Sequence, residues 1–246
     1  MPFGPRQSPG IETVEDGGSI EEIQPPSSTT QSRELSRGPN GIFIPLRALT
    51  PEIVYCDNHI LVALKPAGWV TQEQLAIFCE QWLKEKYQKP GNVFLHAIHR
   101  LDRPASGLVL FARTTKALSR LNEAMRTQEI RRRYEAEVEG HLQPKQGEWV
   151  HRLLHSAHRA TVSPEGKIAR LHYTVVAEWP HTTGVSFELE TGRYHQVRIQ
   201  CAESGHPIVG DKKYGSKTGD GTQIHLRCAE LSFIHPVTKE PQRFVF

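Results

Sequence analysis

Nowhere in its 246 residues does the chain approach the roughly 20 consecutive apolar residues that span a bilayer, which argues against a helical membrane protein. Its first residues hold no basic segment followed by an apolar one, and several acids stand among them. Neither a secretory leader nor a transit peptide is therefore expected. The four cysteines, Cys56, Cys79, Cys201 and Cys228, lie far apart and form no C-x-x-C pair. Reduced thiols in an intracellular compartment, the cytoplasm, are the simplest expectation. No internal repeat is visible, and no H-E-x-x-H marks a metal site.

Charge is present but unevenly placed. The net charge is +3. Residues 1–40 carry three arginines against six acids, a balance of −3, so the remainder carries +6. Between Gly91 and Glu135 nine Lys or Arg face four Asp or Glu, a local surplus of +5. A basic zone of that size suits a polyanion, nucleic acid being the commonest. A solvated face with spare arginines would look the same, and charge alone does not separate the two.

Residues 1–41 hold six of the 17 prolines amid Ser, Thr, Gln and Glu, and too few apolar residues to offset the entropy of ordering. They are expected to form a disordered tail, with residues 42–246 as one folded domain and no small folded domain ahead of it, because the tail lacks the apolar pattern. In the folded part, "IVYCDNHILVALKPAG" predicts two strands about an Asp57-Asn58 turn. Thr71 and Gln74 fit a capping box ahead of a helix that ends at Lys89-Pro90-Gly91. "VFLHAI" and "GLVLFA" predict strands around an H-R-L-D loop, and Ala117, Leu118, Leu121 and Met125 mark a second helix. "RRRYEAEVEG" predicts a strand with Tyr134, Ala136 and Val138 on one face and charges on the other. "LHYTVVAEW", "VSFELE", "IHLRCAELSFI" and "RFVF" add further strands, and "RYHQVRIQCAESG" reads as a helix ending at Gly205. Strands outnumber helices, so an α+β fold with a central mixed, mainly antiparallel β-sheet flanked by helices is expected.

Three segments carry chemistry: "HRLDRPASGLVLFART" (99–114), "RRYEAEVEG" (132–140) and "TGRYHQVRIQCAESGHPIVGDKKYG" (191–215). Together with "LVALKPAGWV" and "IHLRCAELSFIHPVTKEPQRF", in this order and spacing, they resemble the RluA-type pseudouridine synthases. The resemblance covers roughly residues 50 to 246. It implies isomerisation of a uridine in ribosomal or transfer RNA, in which the base leaves C1′, turns and reattaches through C5. That reaction involves no redox change, so neither a cofactor nor a metal is implied. It does need an oxygen nucleophile that bonds covalently and leaves again.

By resemblance Asp102 is that nucleophile. A carboxylate in a closed pocket tends to take up a proton, and a nearby guanidinium reverses the tendency. The family pairs the aspartate with the second arginine of T-G-R-x-H-Q-x-R, here Arg198. Tyr134 corresponds to the tyrosine that stacks on the target base and is a candidate for the proton transfers. Arg100 matches the arginine associated with filling the space left by a flipped base. Arg103, Arg131, Arg132, Arg133, Arg193, His195, Lys212 and Lys213 are the remaining candidate RNA contacts, with Arg126 on the same basic surface. His99 suits a polar core or backbone-anchoring role, and Ser106 and Gly107 a turn entering the strand. Ala105 stands where the family usually has Thr, Tyr194 where it has Thr or Ser, and "WVTQ" lacks a His often found nearby.

Two rivals merit comparison. A glycoside hydrolase also breaks a bond at C1′ but generally needs two flanking carboxylates, whereas arginines surround Asp102. A catalytically inactive RNA-binding module would keep the basic zone without an Asp–Tyr–Arg set. His151, His155 and His158 would align as ligands on a helix but lack an acidic partner at useful spacing, so no metal is expected. Partners reduce to structured RNA presenting a uridine in a loop, with no membrane, no obligatory protein partner, and a monomer as the default.

Overall fold

The computed structural model describes residues 50–219 and 221–246. The expected tail, and the question of a domain ahead of the catalytic one, lie outside these residues. Strands β1 (Glu52–Cys56) and β2 (Ile60–Lys65) form the first hairpin. Asp57 makes its turn, because its Oδ1 accepts the backbone N–H of both His59 and Ile60.

The predicted capping box is replaced by a different arrangement. Thr71–Leu75 form a π-helical turn that leads into α1 (Ala76–Lys86). The Thr71 hydroxyl is drawn into the core instead, where it bonds both N–H and C=O of Leu101 at 3.2 Å. Gln74 does reach back, accepting from the Val70 N–H at 2.9 Å.

Beyond α1 come β3 (His96–Ala97), far shorter than the "VFLHAI" pattern predicts, then β4 (Ser106–Ala112), α2 (Thr115–Arg126) and β5 (Arg131–Glu139). Thr114 caps α2 by accepting from the Ala117 N–H. β6 (Gln146–Ser156) and β7 (Arg159–Val162) form a hairpin, followed by β8 (Lys167–Glu178) and β9 (Thr182–Leu189). Helix α3 spans Gln196–Glu203, three residues shorter at its start than the sequence predicts, because His195 adopts a left-handed backbone (φ 54°). β10 (Leu226–Ile234) and β11 (Pro241–Val245) complete the described chain.

All eleven strands belong to one sheet, ordered β1-β2-β4-β10-β5-β9-β8-β6-β7, with β3 and β11 beside β4 and β10. Among the described residues only the β4–β10 pair is parallel. The result is the mixed, mainly antiparallel sheet of an α+β fold. β2 and β4 are buried along their whole length, which accounts for the apolar runs Ile60–Leu64 and Leu108–Ala112 within them.

β5 departs from the expected amphipathic pattern. It lies between β10 and β9, so Glu135 and Glu137 on its charged face are buried and need partners. Arg227 meets Glu135 at 2.6 Å and His225 meets Glu137 at 2.7 Å.

Gly107 is set by this packing rather than by a turn. With φ +120°, a Cβ on it would fall 2.4 Å from the Cys228 backbone, so only glycine lets β4 and β10 approach here. Cys228 is in register with Tyr134 on the next strand, so the same contact fixes the distance from the H-R-L-D loop to β5. All four cysteines are buried and free. No helix of the described residues is long and apolar enough to cross a membrane.

Candidate active site

Residues 98–105 leave β3, turn over the end of the sheet and enter β4, and backbone bonds hold them throughout. The Ala105 N–H donates to the Asp102 carbonyl at 3.0 Å, closing a tight turn with Asp102 at its head. Gly68 N–H donates to the Arg103 carbonyl at 2.7 Å, and Arg103 Nε–H returns a bond to the Gly68 carbonyl. Beneath the loop lies Lys65, wholly buried, whose ammonium faces the carbonyls of Pro66, Trp69, Arg103 and Ala105 at 2.6–3.3 Å. Burial pushes this ammonium down to about 7, while the Asp102 charge opposes that. Ala105, the departure from the usual Thr, is tied in by its backbone alone.

His99 takes the anchoring role that the sequence suggests. Its Nε2 accepts from the Leu110 N–H at 3.2 Å, so the proton of the neutral ring resides on Nδ1. Burial, with Arg132 nearby, drives its imidazole down to about 3.

The second half of the site comes from the loop before α3. Gln196 organises that loop: its Oε1 accepts from the Thr191 hydroxyl and the Arg193 N–H, while its Nε2–H donates to the Arg170 carbonyl. Gln200 pins α3 to β6 and β8 through the carbonyls of Trp149 and Ala169. Helix α3 thereby delivers Arg198, only 4% exposed, to the head of the 98–105 turn.

Arg198 donates Nη1–H to Asp102 Oδ2 at 3.1 Å. Its Nε–H and Nη2–H grip both oxygens of Asp211 at 2.6 and 2.8 Å, the two-pronged geometry guanidinium favours. Burial works against the Arg198 charge, but the pair with Asp211 and then that with Asp102 raise its proton affinity above the ordinary arginine range. Asp211 is 1% exposed, whereas the Asp102 side chain keeps 21% of its surface open. One carboxylate is therefore fixed and structural in position, and the other is presented.

His195 is placed differently from its expected role as an RNA contact. It is buried, its Nδ1 lies 2.8 Å from the Tyr214 hydroxyl, and its Nε2 lies 3.6 Å from Asp102 Oδ2. Burial first, then the Arg198 and Lys213 charges, bring its imidazole down to about 3, so this contact is made by a neutral ring and is not an ion pair.

Asp102 stands where two cavities adjoin. The first, about 420 Å³, is also lined by Tyr134, Arg100, Arg132, Arg193, His195 and Arg198. The second, about 740 Å³, shares Arg100, Asp102 and Arg198 and adds Arg103, Lys212 and Lys213. Tyr134 is buried on β5, and burial, with Cys228 beside it, raises its hydroxyl well above the usual phenol range. Arg132 Nε–H and His99 Nδ1–H, both fully buried within residues of the first cavity's wall, have no acceptor among the described residues.

Two expected RNA contacts are not brought here. Strand alternation sends Arg131 and Arg133 away from Arg132 and Tyr134. Arg133 is spent on Glu135 and Glu230, at 2.5 and 3.1 Å, and Arg131 lines neither cavity. Arg126, likewise, pairs with Glu123 along α2. The three histidines do not converge either. His151 bonds Gln200, His155 packs on Tyr194, and the His158 carbonyl accepts from Lys213, because this stretch is a β-hairpin and not a helix. The group of three potential metal ligands found among the described residues is instead Glu148, His172 and Glu190, all exposed, with both carboxylates paired to Arg170 and His172 bonded to Glu190.

Lys65, Thr71, Asp211 and Tyr214 are the supporting residues that sequence reasoning missed. Asp211 and Tyr214 sit in "GDKKYG", inside a segment already singled out, but nothing local marks them as partners of Arg198 and His195.

Residues 59–203 match the family model described as RNA pseudouridylate synthase. The chain belongs to the RluA-type pseudouridine synthase family. It is an RNA pseudouridine synthase, an isomerase. Its relatives include an uncharacterized RNA pseudouridine synthase, YjbO, of Bacillus subtilis (strain 168), 34% identical over 200 residues, 78% of this chain and 71% of that one. Ribosomal large subunit pseudouridine synthase C of Escherichia coli (strain K12) is 32% identical over 233 residues, 89% of this chain and 72% of that one. Among solved structures, human RNA pseudouridylate synthase domain containing 1 shares the fold with a TM-score of 0.67 at 23% identity, covering 80% of this chain and 83% of its own.

Proposed function

We propose that this pseudouridine synthase acts on a loop-presented uridine of ribosomal or transfer RNA, with Asp102 as nucleophile. The ribosomal choice is favoured by the name of the relative that aligns over 89% of this chain, a ribosomal large subunit enzyme. The observation that carries the mechanism is the Arg198–Asp102 contact at 3.1 Å, with Arg198 itself clamped by buried Asp211.

In this scheme the uridine flips into the first cavity and its base lies against the Tyr134 ring. The Asp102 carboxylate forms a covalent bond to the substrate as the N1–C1′ bond breaks. The base turns, C5 bonds to C1′, and the carboxylate departs with its electron pair. C5 gives up one proton and N1 gains one, so substrate and product are isomers. Arg198 holds the carboxylate in its ionised form and fixed geometry. Tyr134, kept protonated by burial, takes part as a hydroxyl donor. Arg100 enters the space the base vacates, and Arg103, Lys212 and Lys213 contact phosphates around the second cavity. The enzyme works as a monomer in the cytoplasm without an obligatory protein partner.

The test is pseudouridine formation in transcripts of large-subunit ribosomal RNA and transfer RNA. Asp102→Ala should form product at least about 10³-fold more slowly than the wild type. Its melting temperature should stay within a few degrees, because Arg198 keeps Asp211. Equal product from variant and wild type sinks the assignment.

A further inference from the structure

A third cavity, about 280 Å³, opens between the β6–β7 hairpin and the loop that precedes α3. Leu153, Leu154 and Ala160 supply apolar lining, His155 and Tyr194 supply rings, and Lys167 and Arg193 supply positive charge. Its volume lies near the lower end for small-ligand sites, roughly 300 Å³, which suits one planar base. Glu165 is the carboxylate in the lining, an acceptor fitted to a base edge rather than a phosphate.

A column of rings joins this cavity to Asp102. Tyr194 stacks on His195 with centroids 3.8 Å apart and planes 19° apart, and His155 continues the column 4.0 Å from Tyr194. The inner end, His195, touches Asp102, while the outer end, His155, is exposed on the hairpin. Tyr194 is held in place by a small separate core of Leu153, Ala160, Ala169, Ile199 and Tyr214. The Arg100 guanidinium lies 5.7 Å over its ring, and both Tyr194 and Arg193 also line the first cavity.

We propose that this third cavity is a subsite for the nucleotide flanking the target uridine. Its base extends the column at His155 and Tyr194, and its phosphate meets Arg193 and Lys167. The proposal rests on the reading above that the substrate is RNA. An apolar, ring-lined slot carrying two cations, sharing Arg193 and Tyr194 with the first cavity, matches a base followed by its phosphate. Tyr194 is then a specificity-determining residue.

The experiment uses the full chain with transcripts of large-subunit ribosomal RNA and transfer RNA, reading both kinetics and ultraviolet crosslinks located by mass spectrometry. Loss of one stacked base corresponds to about a tenfold change. Tyr194→Ala should therefore raise KM about tenfold with kcat within about threefold. Tyr194→Phe should stay within about twofold, and His155→Ala should move in the same direction as Tyr194→Ala by less. An unchanged KM in Tyr194→Ala, or a loss confined to kcat, overturns the subsite and leaves Tyr194 as mere support for His195. Should the wild type convert no uridine in either RNA, the substrate reading fails by itself. The subsite is then decided by the crosslinks: RNA attached at His155 or Tyr194 supports it, and attachment only elsewhere overturns it.

Discussion

The two wings of the sheet are built to different standards. On one side, β2 and β4 are buried on both faces, and Leu61, Val62, Leu108 and Leu110 are fully enclosed. On the other, β6 and β8 alternate, leaving Val150 and Ile168 about half exposed at 48% and 46%. The Asp102 carboxylate hangs from the thick wing, through Lys65, Thr71 and the entry to β4. Its cation comes from α3, which packs on the thin wing through the small core that holds Ile199 and on the main core through Val197 and Cys201. The site lies where the wings meet, and the Arg198–Asp102 contact is a side-chain link between them added to the continuous sheet. A rigid wing limits the motion of the Asp102 side chain. The thinner wing leaves rings and cations on the surface for a long polymer to touch.

Cutting that link should produce the largest effect. Arg198→Met leaves Asp211 buried without its cation, a situation that typically costs about 3–5 kcal/mol. Denaturant unfolding should show that loss. Any folded fraction should form pseudouridine at least about 10²-fold more slowly, and stability within about 1 kcal/mol of wild type would show that the wings do not depend on this contact.

A contrast between the wings comes next. Lys65→Met strips four backbone carbonyls of their donor inside the thick wing and should cost about 3 kcal/mol. Ile168→Thr on the bare face of β8 should stay within about 0.5 kcal/mol. Similar losses for both would erase the distinction drawn here.

The smallest expected effect concerns pH. His99 is held neutral in the folded chain, down to about 3, against about 6.5 when unfolded. Between those values the unfolded chain binds the extra proton, so the His99 contribution is complete above about pH 6.5 and is lost as pH falls towards 3. His195, also near 3, adds in the same direction from the thin wing. His99→Gln should flatten the fall in melting temperature between pH 6.5 and 4 relative to the wild type. Parallel curves for the two proteins would place the acid sensitivity elsewhere.

Much of this architecture could be read in advance from the order of residues. The hairpin about Asp57, the enclosed strand from Gly107, the amphipathic α2 and the alternating β8 all follow local periodicities that short-range sterics and one-sided burial impose. The segments 99–114, 132–140 and 191–215 also carried the family, because its site is made of short stretches in fixed order. The β6–β7 hairpin escaped notice. "WVHRLLHSAHRA" has histidines at helical spacing, yet each pairs with a different distant neighbour. Arg133 was indistinguishable from Arg132 for a similar reason, since one step along a strand exchanges the cavity for an ion pair.

What the chain alone determined, then, was which side chains are available: a lone acid between arginines, a tyrosine in a strand, and an arginine in a motif 96 residues beyond the acid. What only the tertiary structure decided was their partnership. Asp211 clamps Arg198, Lys65 gathers the loop carbonyls, and a neutral His195 lies beside Asp102. Each of these links residues far apart in sequence or turns on burial. The strength of a charge contact depends on distance and on exclusion of water, and both are properties of the folded packing.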